Sequence, residues 1–258
     1  IAFGLSRIAF RDRVGAPDVA VEIERGLRPI MRRQVALEGT VVEEPVVAEA
    51  FAALIARLRP GLGTLPFEPE VVVVDSPVVN AAALPGALIV VYTGLVRTLE
   101  TPEQMAAVLA HELVHVVRRD AVTQLAREAG MAAIASAVSR GGETAAQSLL
   151  REAIGLRYSR AAEDRADLGC LEMLEKAGID PAVFGDALER IAEAGTRTPD
   201  LMRWLDPHTD IDARIARARA HPRSAADTRT GHAPRRFATM TSTTRAGNVG
   251  LKAFTCGR

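Results

Sequence analysis

Thr101-Pro102-Glu103-Gln104-Met105-Ala106-Ala107-Val108-Leu109-Ala110-His111-Glu112-Leu113-Val114-His115 is the stretch whose reading decides the fold. It opens as a helix does. Thr101 is a natural N-cap, Pro102 suits the first helical position, and Gln104 stands where a capping box takes its second partner. The residues after it are good helix formers. On a helix, residues i and i+4 share a face, so His111 and His115 project side by side. Two imidazoles one turn apart can hold one Zn²⁺ ion as neutral ligands. Glu112, beside the first of them, is placed to act as general base on a water. A surface helix can carry two histidines and a glutamate by accident. Here Met105, Val108, Leu109, Leu113 and Val114 predict a buried helix, where uncompensated polar groups are costly. The chain has only five histidines, and two fall at this spacing.

Composition narrows the rest. The chain has 258 residues, 48% hydrophobic and 25% charged, enough for a sizeable core. Its formal net charge is zero, which excludes a global pull toward nucleic acid. With aromatics at 4%, a base-stacking platform is not expected. Cys170 and Cys256 are too few for a disulfide framework and lack metal-site spacing. No uninterrupted apolar run reaches the roughly 18 residues of a membrane-spanning helix. Because the chain begins at Ile1, an upstream signal or lipid anchor, with membrane association through it, stays open.

Moving outward from the motif, 1–15 reads as a loose arm. Residues 16–220 read as one catalytic domain with an N-terminal helical region, its first helices over 16–33 and 43–57. The β-branched run Glu70–Asp75 predicts a buried strand. The stretch Asn80–Gly86 leads through a Pro-Gly turn into a further strand, Ala87–Tyr92. A short helix follows at 95–99, then the HELVH helix. Arg118-Arg119-Asp120 is expected to surface just past it. Residues 121–155 read as helical with a break at Gly141-Gly142, and 156–177 as a long helix closed by Gly178. Asp180-Pro181 starts another helix, and 209–219 is the last. The segment 221–258 has little apolar periodicity and mostly basic charges, and reads as a disordered basic tail.

A catalytic zinc wants a third protein ligand and an open position. The helix over 156–177 offers Glu163 and Asp167 one turn apart, flanked by Ala162 and Ala166, which allow close approach to a second helix. Glu163 suits a ligand, and Asp167 an acceptor for a ligand imidazole's N–H. Arg160 and Arg165 are alternative helical partners for the two carboxylates. His208, in Asp206-Pro207-His208-Thr209, is a candidate oxyanion donor if its loop folds over the metal. Arg214, six residues on, is placed to orient it or to bind substrate carbonyls, or else to pair with Asp210.

Taken in order, Val79-Asn80-Ala81 through Leu84-Pro85-Gly86, HELVH, Ser159-Arg160…Glu163…Ala166-Asp167, and His208 with Arg214 resemble the gluzincin metallopeptidases of the HtpX, CAAX prenyl endopeptidase and BepA type. The resemblance covers about residues 18–220. It implies a mostly α (α+β) zincin-type core, with an HExxH helix and an ExxxD helix packed under a small sheet whose edge strand borders a cleft. It implies His111, His115 and Glu163 as ligands of one zinc ion, and Glu112 as base. It implies the 80–91 segment, with Asn80, Pro85, Gly86 and Ala87, as the edge that holds an extended peptide by β-augmentation. Three departures stand out. Gly86-Ala87 replaces the family's Gly-Gly, Asp120 stands where a His is usual, and Asp206-Pro207-His208-Thr209 replaces its Ser-Thr-His-Pro loop. Without membrane spans the chain is similar to the soluble, BepA-like branch. That implies a zinc endopeptidase acting on proteins in the bacterial cell envelope, periplasmic or membrane-associated. The rival reading is a latent or non-catalytic chaperone-like assembly factor on the same scaffold, in which an intact Glu112 would serve no purpose.

Overall fold

The computed structural model describes residues 17–130, 134, 138, 143–155, 158–197 and 211–221. In chain order these form α1 (Pro17–Glu38), α2 (Pro45–Leu58), a 3₁₀ turn (Arg59–Gly61), β1 (Glu70–Val74), β2 (Ala81–Leu84), β3 (Leu88–Tyr92), α3 (Thr93–Thr98), α4 (Pro102–Arg118), α5 (Asp120–Glu128), α6 (Glu143–Ile154), α7 (Arg160–Lys176), α8 (Ala182–Arg197) and α9 (Ile211–Ala220). The expected arm at 1–15, the Gly141-Gly142 break and the 222–258 part of the tail lie outside the described residues. No helix among the described residues is long and apolar enough to cross a membrane.

A mixed three-stranded sheet in the order β1-β3-β2 separates two helical layers. β3 runs parallel to β1 and antiparallel to β2. Its side chains alternate by the strand's period of two. Ile89 and Val91 enter a core shared with α2, α4, α7 and α8. Leu88 and Val90 enter a second core with Leu27 and Met31 of α1, Val122 and Leu125 of α5, and Leu149 and Leu150 of α6. A central strand buried on both faces must be apolar throughout, which is what Leu88-Ile89-Val90-Val91 supplies.

Helix α4 is the axis of the first core. Thr101 Oγ1 accepts from Gln104 N, and the Gln104 side chain returns to the backbone of Glu100 and Thr101, closing the capping box. Helix α7 packs along α4 through small residues. Ala166 is fully buried in the same core as Ala106, Ala107 and Ala110. A Cβ on Gly169 would meet the Val114 side chain at 2.9 Å, so glycine permits this approach.

Several boundaries differ from expectation. α1 runs to Glu38 through Pro29, because Leu27, Met31 and Val35 keep a buried stripe beyond Arg33. α7 starts at Arg160 instead of 156, since Ser159 is extended and caps by accepting from Ala162 N. Arg118-Arg119-Asp120 does not simply surface. Arg119 adopts φ 55, α5 begins at once, and the Asp120 side chain is only 16% exposed.

The turn Pro85-Gly86-Ala87 holds one departure from the family pattern in a backbone conformation that favours the family's glycine. Gly86 and Ala87 have φ 82 and 60, the left-handed region that favours glycine. The turn is held from α1, where the Arg28 guanidinium donates to Gly86 O and to a Glu70 carboxylate oxygen. Ala87→Gly is therefore expected to be tolerated within about 1 kcal/mol, whereas Ala87→Val loses roughly 1–3 kcal/mol because a β-branched side chain resists this conformation. Urea unfolding of both variants checks this. Equal stability of Ala87→Val and wild type would refute it.

Candidate active site

His111 and His115 point from one face of α4 toward Glu163 of α7, and all three are buried. One ligand atom from each lies within 4.8 Å of the other two. His111 Nε2 is 3.2 Å from His115 Nε2 and 3.5 Å from Glu163 Oε2, and His115 Nε2 is 3.7 Å from Glu163 Oε1. Tetrahedral donors at zinc bond lengths sit roughly 3.3–3.6 Å apart, so the set has the right size for one such ion.

The outer side of each imidazole is also occupied. His111 Nδ1 lies 3.2 Å from Asp167 Oδ1, and His115 Nδ1 lies 3.0 Å from Asp120 Oδ2. A carboxylate accepts the Nδ1–H, which leaves each Nε2 as a lone pair. Two lone pairs and a carboxylate then converge in a buried space. That is a repulsive arrangement unless a cation sits among them, so the donor chemistry also fits a metal. The same field acts on His111 itself. Burial lowers its pKa, but the hydrogen bonds to Asp167 and Glu163 outweigh this and lift it to about 9, so a proton on Nε2 relieves the same repulsion and a metal ion would bind in its place. Aromatic faces complete the packing. Phe184 stacks on His111 with ring centroids 5.7 Å apart, and Tyr158 on His115 at 4.3 Å. Burial and the nearby carboxylate of Glu112 push the Tyr158 hydroxyl well above its ordinary range.

Arg214 of α9 reaches the cluster from outside. Its Nε and Nη2 donate to both oxygens of Asp167 at 2.7–3.2 Å, and Nη2 is 3.4 Å from His111 Nδ1. Burial tends to raise the Asp167 pKa. The hydrogen bonds from His111 and Arg214 overcome that and hold it at about 2. Arg214 thus sits on Asp167, with Arg217 Nη1 also 3.5 Å from Oδ2. The helical pairing considered for Asp167 with Arg160 or Arg165 does not form among the described contacts. His208, Asp210 and their loop lie outside the described residues.

Glu112 lies beside the cluster, 1% exposed, and its Oε2 accepts from Ala83 N of β2 at 2.9 Å. β2 is an edge strand, so this edge and the motif helix are joined by this bond. Asn80, Pro85, Gly86 and Ala87 all lie on or beside that strand and are buried. Asn80 Oδ1 has no hydrogen-bond partner among the described residues. Sequence reasoning missed two members of this arrangement, Asp120 and Tyr158. In the sequence Asp120 stands out only as a departure where the resembled family has a His, since no Gly or Pro signals the break at Arg119, and Tyr158, just before α7, reaches His115 only through tertiary packing.

A small sheet flanked by helices, with two imidazoles and a glutamate converging beside an HExxH glutamate, defines a metallopeptidase of the zincin type. The chain belongs to peptidase family M48, whose family model matches residues 52–221. It is similar to the mitochondrial metalloendopeptidase OMA1 of Arabidopsis thaliana, 32% identical over 131 residues, covering 49% of this chain and 26% of that protein. The OMA1 of Schizosaccharomyces pombe is 28% identical, covering 57% of this chain and 44% of that protein. The beta-barrel assembly-enhancing protease of Escherichia coli K12 is 24% identical over 204 residues, covering 72% of this chain and 41% of that protein. The chain spans less than half the length of each of these relatives.

Proposed function

We propose that this chain is a zinc-dependent endopeptidase that cleaves peptide bonds of protein substrates. The observation that carries this reading is the convergence of His111, His115 and Glu163 within 4.8 Å, beside Glu112. In this reading His111, His115 and Glu163 hold one zinc ion per chain. When bound, zinc supplies the positive charge that acidifies a water and polarises a carbonyl. Glu112 accepts the proton of the attacking water and passes it to the leaving amine. Ala83 N–H holds the Glu112 carboxylate in place. Asp167, itself fixed by Arg214, keeps the His111 ring turned with Nε2 toward the cluster. The backbone of β2 is the edge against which an extended substrate aligns, with Asn80 and the Pro85-Gly86-Ala87 turn at its ends. His208, with Arg214, remains the candidate for stabilising the oxyanion.

The likeness to a beta-barrel assembly-enhancing protease supports a role in protein quality control in the bacterial envelope. A latent form is favoured by one specific observation. The cluster and Glu112 are buried, as are Ala81, Ala83 and Leu84 of β2, so a substrate strand needs an opening movement before its scissile bond can reach the cluster.

The test of the site is metal content. Wild type is expected to carry about one Zn²⁺ per chain, and His115→Ala to lose it, because two remaining ligands do not hold zinc in competition with buffer. Full zinc occupancy in His115→Ala, measured by elemental analysis after dialysis, would remove this assignment.

A further inference from the structure

We infer that Asp120 is the positioning residue for His115, so that both imidazoles of the cluster are oriented by a carboxylate. The inference rests on the metal-site reading above. Five residues after His115, Asp120 would stand roughly 140° round an uninterrupted helix, facing away from the ring. It does not, because the helix is broken between them. Arg119 takes φ 55, ends α4 by donating its N–H to His115 O and Val116 O, and lets α5 start at Asp120 in a new direction. The break brings Asp120 Oδ2 to 3.0 Å from His115 Nδ1. On the ring's face, Tyr158 stacks at 4.3 Å with 19° between planes, so rotation about χ2 is blocked as well.

The pair matches Asp167 and His111 on the other side of the cluster, where the distance is 3.2 Å. Asp120 differs in exposure. Its side chain is 16% exposed against 2% for Asp167, and its other neighbour is the Arg118 guanidinium at 3.7 Å, on the surface. A carboxylate that accepts Nδ1–H selects the tautomer with a bare Nε2 and makes that nitrogen a better donor to a cation. The alternative is that Asp120 merely opens α5, where an acidic residue suits the helix N-terminus.

Zinc affinity, measured by competition with a chromophoric chelator on the full chain, separates the two. Asp120→Ala is expected to weaken zinc binding roughly 10- to 100-fold, the usual loss for an outer partner of a ligand histidine. Asp120→Asn, which still accepts the Nδ1–H but carries no charge, is expected to fall between wild type and Asp120→Ala, and serves if Asp120→Ala folds poorly. Arg118→Ala is expected to leave affinity unchanged. With Co²⁺ in place of zinc, the visible absorption bands of both Asp120 variants shift relative to wild type, a change that loss of helix stability alone does not produce. If His115→Ala loses zinc while both Asp120 variants bind it within two- to three-fold of wild type with an unshifted Co²⁺ spectrum, the role of Asp120 is overturned and the metal site stands. If His115→Ala keeps zinc, the metal-site reading fails and this inference with it.

Discussion

Glu112→Gln is expected to fold, to keep its zinc, and to lose peptidase activity by roughly 100- to 10,000-fold. That is the range for removing a positioned general base or acid. The substitution is nearly isosteric. The amide side chain retains an oxygen that can accept from Ala83 N–H, so the link between α4 and β2 survives. What it cannot do is take a proton from water at neutral pH. The rate falls while the site's shape stays, which makes this variant a sharper test than an alanine. Cleavage of casein or a quenched peptide by wild type and Glu112→Gln, with zinc content measured on the same samples, is the experiment. Activity within a few-fold of wild type would take Glu112 out of the base role. No activity in either protein would favour the latent form, in which the buried cluster must first open.

Arg214→Ala is expected to cost about 3–5 kcal/mol of folding stability, the usual result of breaking one side of a buried ion pair. Arg214 and Asp167 are each only 2% exposed, and the guanidinium contacts both carboxylate oxygens. Removing it strands Asp167 with His111 and the more distant Arg217. It also removes the guanidinium that lies 5.7 Å from the centre of the Phe184 ring, the ring that backs His111. Zinc affinity should fall with stability, since Asp167 no longer holds its orientation. Arg214→Lys is expected to restore little, because an ammonium cannot reproduce the two-pronged contact. Denaturant titration gives the stability directly. A loss below about 1 kcal/mol, or full rescue by lysine, would show that the pair acts only as a point charge.

Much of this molecule was legible in the chain because the relevant physics is local. The capping box at Thr101, the i,i+4 spacing of His111 and His115, and the same spacing of Glu163 and Asp167 are properties of one helix at a time. The apolar run Leu88-Ile89-Val90-Val91 announces a strand buried on both faces without reference to what covers it. What only the tertiary structure decided concerns partners distant in sequence and backbone states without a residue signature. Arg214 meets Asp167 across 47 positions, a pairing that no periodicity encodes. Ala87 and Arg119 take left-handed conformations that their side chains do not advertise, and the second of these turns Asp120 back toward His115. Burial of Ala81 and Leu84 of β2 in the two cores is decided by helices from both ends of the chain, through packing that is non-directional and summed over the whole core. Local geometry can therefore be read from spacing, whereas the closure of the site depends on long-range burial that exists only once the layers have met.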